Sequence, residues 1–250
     1  MARIPIALQL YSVRKDCERD LPGTLKAVAE MGYDGVEFAG YYDRSAAELR
    51  KMLDDLGLKA AGSHLGLQHL QGDELERTIE FNKTIGSKFP IIASVAHEYL
   101  ETKEEAAKFG RILSEIAEKV RPHGMQTGYH NHTVEFKPID GTTAWDEIAA
   151  NSSPDVVMQL DLGNAMAGGA DIAPVMKKWA ARGFTVHLKE HSKTKDDALV
   201  GDGDVPWPEI FSTCEAAGNT EWYIVEQESY AYPPLECVER CLKNLRGMGK

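Results

Sequence analysis

Eight short apolar runs, each followed by a stretch with helical spacing, divide this chain almost evenly, and few folds accept that pattern. The runs are "IPIALQL" (4–10), "YDGVEF" (33–38), "LKAAGSH" (58–64), "KFPIIAS" (88–94), "MQTGYHN" (125–131), "DVVMQLD" (155–161), "FTVHLKE" (184–190) and "EWYIVEQ" (221–227). Turn and cap residues punctuate them. Asp20-Leu21-Pro22 suits a helix N-cap with proline in the first turn, and Gly32 stops that helix. Ser45-Ala46-Ala47-Glu48 reads as a capping box for a helix closed by Gly57. Further helices are expected from Asp73 to Ile85, from Thr102 onward, and near 142–150, 171–181, 207–217 and 234–245. In the one opened by Thr102, Phe109, Ile112, Leu113, Ile116 and Val120 recur at helical spacing and predict one buried stripe.

Strict alternation of strand and helix implies parallel strands joined by crossover helices. A count of eight favours closure into a (β/α)8 barrel over an open doubly wound sheet, and no GxGxxG follows the first strand. The 250 residues suit one such barrel, and no linker or low-complexity tract divides them, so a single domain over 1–250 is expected.

Charge narrows the partners. With 28 basic and 39 acidic residues the net charge is −11, which repels a phosphate backbone and leaves a small molecule as the expected ligand, with no nucleic acid. The N-terminus lacks a signal-peptide pattern, and no apolar run reaches a membrane span, so a cytoplasmic protein is expected. Cys17, Cys214, Cys237 and Cys241 form no CxxC pair and read as reduced packing residues.

In a barrel of this kind the site is built where the strands end, on the C-terminal face. The strand-end residues are Gln9, Glu37, His64, His130, Asp161, His187 and Glu226, with His97 just beyond the fourth strand. Each closes a mostly apolar run with a group that can hydrogen-bond, titrate or bind metal. Singly, each has an ordinary structural explanation. Together, imidazoles and carboxylates at one barrel mouth suit a divalent cation with mixed nitrogen and oxygen ligands. Manganese or zinc fits first; cobalt, nickel, iron and magnesium are also compatible.

The ordered series "LQLYS", "GYDGVEF", "GYHNHTVEF", "LDLGNA", "VHLKEH", "VGDGDVPWPEI" and "VEQES" resembles the xylose isomerase-like TIM barrels of the sugar phosphate isomerase/epimerase superfamily, over nearly the whole chain. The resemblance implies metal ligands at the ends of strands five to eight, here His130, Asp161, His187 and Glu226. At strand five many epimerases carry Glu in a "GxEN" context, whereas this chain has His130. Glu226 is then the one carboxylate matching the pair of glutamates of a two-base epimerase.

The chemistry implied is proton transfer next to the carbonyl of a sugar or keto-sugar, through an enediolate stabilised by the metal. Glu226 is the expected catalytic base, and Lys189 is placed to donate to a substrate oxygen. Gln9, Glu37, His64 and His132 are expected to recognise hydroxyls or support the ligands, with Glu135 anchoring the loop after strand five. Tyr11 and Trp207 have either a stacking or a packing role. The segment "VGDGDVPWPEI" reads as architecture bordering the site. The leading function is isomerisation or epimerisation of a sugar. The alternative is a lyase or dehydratase acting by β-elimination on a 3-keto-glycoside or an inosose. A repair endonuclease conflicts with the charge, and a barrel that binds carbohydrate without turnover differs by needing no metal. A homo-oligomer is compatible with all of these.

Overall fold

The computed structural model describes residues 3–250. Among these residues, eight parallel strands close into a barrel: β1 (Ile6–Gln9), β2 (Gly35–Ala39), β3 (Lys59–Gly66), β4 (Pro90–Ser94), β5 (Gly128–His130), β6 (Val157–Asp161), β7 (Thr185–Leu188) and β8 (Trp222–Val225). Each strand pairs with its sequence neighbour, and β1 closes the ring against β8. The expected (β/α)8 architecture is therefore present. Seven strands are shorter than their apolar runs, which extend into the connecting segments, while β3 runs two residues past its own to Gly66.

The outer ring comprises α1 (Arg14–Met31), α2 (Ala46–Leu56), α3 (Glu74–Ile85), α4 (Lys103–Val120), α5 (Ala144–Ala150), α6 (Leu162–Ala167), α7 (Ile172–Trp179), α8 (Trp207–Ala217) and α9 (Pro234–Gly247). The Ser45–Glu48 capping box forms, and Gly57 ends α2 at φ 69°, a left-handed conformation that glycine adopts without a Cβ penalty. Thr102 caps α4, whose Phe109, Leu113, Ile116 and Val120 are buried while Ile112 lies at the edge of the stripe.

The start of α1 and the place of His97 differ from expectation. Helix α1 begins at Arg14 rather than at Asp20, and the Asp20–Pro22 signal marks a kink inside it. Pro22 has no N–H and crowds the carbonyl one turn back. Asp20 accordingly leaves helical geometry (φ −158°, ψ 85°) and accepts the Gly23 N–H at 3.1 Å, capping the second half of α1. His97, on a 3-10 turn after β4, is exposed and pairs with Glu101 at 2.9 Å, apart from the barrel mouth.

Alternate residues of a strand share a face, and here that rule stacks the barrel interior in layers. Ala7, Ala61, Phe89, Ile91, Val157, Trp222 and Ile224 form an apolar plug at the N-terminal end. Two residues further along β1, β6 and β8 stand Gln9, Gln159 and Glu226, so the interior turns polar toward the mouth. The larger apolar core lies between strands and helices. At Gly128 the strands approach so closely that a Cβ would sit 1.9 Å from the Val157 carbonyl oxygen, which fixes the entry to β5.

Candidate metal centre and barrel mouth

Strand register sets the site. Asp161 pairs directly with His187, Gln9 with Glu37, and His130 with Gln159, so these residues meet at similar heights around the barrel axis. One nitrogen or oxygen from each of His130, Asp161, His187 and Glu226 lies within 4.8 Å of the others, and all four residues are buried. Nδ1 of His187 is 2.5 Å from Glu226 Oε2 and 3.9 Å from Asp161 Oδ2.

Asp161 Oδ1 accepts the Asn164 N–H at 2.6 Å, which caps α6. Its other oxygen, Oδ2, is buried and without a hydrogen-bond partner among the described residues, as is Nδ1 of His130. Lone pairs left unmatched inside a protein are costly. A cation within this cluster would satisfy both, and two imidazoles with two carboxylates form a donor set that zinc and manganese accept. His64, His130 and His187 also gather nitrogens within the same span. The mixed set contains both unmatched atoms; the three-imidazole set contains one.

The electrostatics are those of a charged cluster out of water. Burial pushes the Asp161 carboxyl well up, the Glu226 charge adds to this, and Lys189 and His187 oppose it. Burial would also raise Glu226, but its hydrogen bond to His187 and the nearby cations hold it below the usual carboxylate range. At His187 burial works against protonation and is overcome by Glu37 and Glu226, which raise the imidazole to about 10. Burial and the neighbouring cations keep His130 neutral, ready to offer a lone pair.

Beneath this cluster lies a buried polar layer. Glu37 Oε2 accepts from Gln9 Nε2 at 2.6 Å and from His187 Nε2 at 2.7 Å, while its Oε1 accepts from Gln159 Nε2 at 2.8 Å. His64 Nε2 sits 2.6 Å from Gln159 Oε1 and 3.1 Å from Glu37 Oε2. Gln9 and Glu37 thus face other side chains rather than open space, whereas His64 and His132 border the mouth. Gln159 is a member of this layer that sequence reasoning missed; its signal was a polar residue inside the apolar run "VVMQLD", on the same face as Asp161.

A cavity of about 400 Å³ opens above, lined by residues including Tyr11, His64, His130, His132, Glu226 and Glu228. Lys189 Nζ donates to Asn164 Oδ1 at 3.0 Å and pairs with Glu228, another residue that sequence reasoning missed. Glu135 is buried; it accepts the Tyr129 hydroxyl at 2.5 Å and the His132 N–H at 2.8 Å, which secures the turn after β5. Trp207 is buried away from the cavity and donates its indole N–H to Glu190 at 2.9 Å, so its role is packing.

Comparison with known proteins matches this geometry to a family. An inosose dehydratase of Clostridium perfringens is 23% identical over 263 residues, covering 89% of this chain and 88% of its own. A sugar phosphate isomerase/epimerase from Parabacteroides distasonis superposes with a TM-score of 0.80 at 25% identity, over 98% of this chain and 94% of its own. The IolI protein, solved with a zinc atom bound, superposes with a TM-score of 0.75 at 17% identity, over 97% of each chain. The family model for the xylose isomerase-like TIM barrel matches residues 25–246, from within the first helix to the last, and with the closed barrel and the strand-end cluster this places the chain in that family.

Proposed function

We propose that this protein is a divalent-metal-dependent enzyme that removes a proton from the carbon next to the carbonyl of a sugar or related polyhydroxy ketone. The observation that carries this reading is the convergence of His130, Asp161, His187 and Glu226, with the buried His130 Nδ1 and Asp161 Oδ2 unmatched within the protein. The zinc bound by IolI and the sugar-like substrates named for the isomerase, epimerase and dehydratase relatives agree with it.

Held by these four residues, a divalent ion would polarise the substrate carbonyl and lower the pKa of the neighbouring C–H. Glu226 is the base: it borders both the ligand cluster and the cavity, so one oxygen can face the substrate. Lys189 is held charged by Asp161, Glu226 and Glu228 despite its burial, and it donates to a substrate oxygen. His64 and His132 line the wall and orient hydroxyls.

One matched glutamate selects among outcomes. Inversion of a carbon centre by two bases needs a second base on the opposite face, and the strand-five position holds the neutral His130. Isomerisation needs only one base, because Glu226 can take the proton from one carbon and return it to the next on the same face. β-Elimination also needs one base, and the inosose dehydratase similarity favours it as the second reading.

The test is incubation of metal-loaded protein with keto-sugars and inososes in deuterated water, followed by NMR. Solvent deuterium at the carbon next to the carbonyl, without loss of a group, supports isomerisation. Loss of water or of an aglycone supports elimination. If neither occurs with any metal, the catalytic reading fails.

A further inference from the structure

We infer that the site takes a substrate of two linked sugar rings, the second lying outboard of the barrel mouth between the β2–α2 loop and α3. The inference rests on the barrel mouth being the sugar site. The four proposed ligands come from strands five to eight, whereas on the side of strands two to four the cavity lining includes the small residues Ala39, Gly66, Ala93 and Ser94, beside His64 and Leu65 of β3. A ring held by the metal cluster can therefore extend toward that side. There a second cavity of about 280 Å³ shares His64, Leu65 and Gly66 with the first, so the end of β3 is a common wall.

The second cavity is suited to a sugar. Tyr41 and Phe81 stack at 4.0 Å between ring centroids and supply an aromatic wall, while His69 and the ion pair of Arg77 with Glu74 at 2.6 Å add polar groups at the rim. The loop that carries Tyr41 is held in an unusual backbone: Tyr42 and Asp43, neither of them glycine, adopt φ of 53° and 55° just after Gly40 at 84°. Left-handed conformations at such residues are costly and gather at ligand clamps. Tyr42 and Asp43 directly follow Tyr41, whose ring meets Phe81. The barrel-mouth cavity alone falls within the range of small-molecule sites, and a second, adjoining space exceeds what one ring requires.

The experiment is calorimetric titration of metal-loaded protein with cellobiose, lactose and trehalose, and with glucose and galactose. At least one disaccharide should bind about tenfold tighter than either monosaccharide. Phe81→Ala and the exposed-residue variant Arg77→Ala should each bind that disaccharide about as weakly as the wild type binds a monosaccharide. Equal affinity for one ring and two, or an advantage that survives both substitutions, overturns the inference. Tighter binding of 4-nitrophenyl glucoside than of every disaccharide assigns the space to an aromatic group and overturns it as well. Deuterium exchange on a monosaccharide ketone without any disaccharide advantage removes this inference and leaves the catalytic reading in place. Disaccharide preference with no exchange does the reverse.

Discussion

Nε2 of His187 lies 2.7 Å from Glu37 Oε2, while Nδ1 of the same ring faces Asp161 and Glu226. The two nitrogens thus have separate tasks. In the proposed metal site Glu37 would hold the Nε2 proton and fix the ring, with Nδ1 as the nitrogen offered to the ion once its proton is displaced; a carboxylate behind a ligating imidazole acts in this way at many metal sites.

Glu37→Gln should therefore weaken metal binding by about ten- to a hundredfold. The amide keeps the size of the carboxylate but loses its charge, and its NH2 group can turn toward His187 and set the wrong tautomer. Calorimetric titration of zinc and manganese into the metal-stripped protein measures the change, with circular dichroism as the check on folding. An unaltered dissociation constant would show that Glu37 is only a packing group.

Metal should stabilise the fold, by an amount that grows with the logarithm of its concentration above the dissociation constant. The unmatched Asp161 Oδ2 and His130 Nδ1 belong to the folded chain, so an ion bound there favours the folded state, by about 2.7 kcal/mol at a hundred times the dissociation constant. Melting temperature should rise with added ion and fall with chelator, and Asp161→Ala should remove most of the response. A melting temperature indifferent to every divalent ion would argue against the site.

Glu226→Gln should lower turnover by about a hundred- to ten-thousandfold, the usual contribution of a positioned acid or base. The amide oxygen can still reach the ion, so metal content by mass spectrometry should stay close to that of the wild type. Retained turnover would move the role of base to another group on the cavity wall, Glu228 first.

Acid stability should depend on Asp34. Burial alone would raise its pKa, but the Arg3 guanidinium at 2.7 Å and the Ile6 N–H at 2.8 Å outweigh this and hold it low. A carboxylate whose pKa is lower folded than unfolded adds stability that is complete above the unfolded value, about 4, and is lost as pH falls through the folded one. Arg3 is 44% exposed, so the ion pair is screened and contributes less than about 1 kcal/mol. Urea midpoints of wild type and Asp34→Asn should differ at pH 7 and converge toward pH 3. A gap that stays constant with pH would exclude the linkage.

Much of this molecule is legible in its sequence because barrel strands announce themselves locally. Each apolar run, cap and glycine stop depends on neighbours within a few residues, and the barrel topology then places Asp161, His187 and Glu226 at one mouth. Contacts between distant segments carry no such signal. Gln159 meets Glu37 across 122 positions of sequence, and nothing near either residue indicates the other. The short α6 and the hairpin of Pro138–Ile139 with Thr142–Thr143 were equally hidden, since neither is long enough to show a period. Asp20 caps a helical segment, as its sequence indicates, but at a kink within α1 and not at the start of a helix, because a proline kink and a helix start use the same residues.

Glu190 shows what such a hidden contact holds in place. Its Oε1 accepts the backbone N–H groups of His191 and Val205 at 3.0 and 3.1 Å, and its Oε2 accepts the Gly201 N–H at 2.7 Å and the Trp207 indole N–H at 2.9 Å. One buried carboxylate thereby gathers the loop between β7 and α8, and at Gly203 an added Cβ would come within 2.6 Å of it. In Glu190→Gln one oxygen becomes an NH2 group facing two donors, so at least one pair is left unmatched, at about 1–3 kcal/mol for each buried group. The variant should unfold at lower urea by about 2 kcal/mol or more, and the Gly201 and Val205 amides should lose protection from hydrogen exchange ahead of the strand amides. Protection at those two amides equal to that of the wild type would mean that the loop is held by its apolar contacts, with Glu190 contributing little.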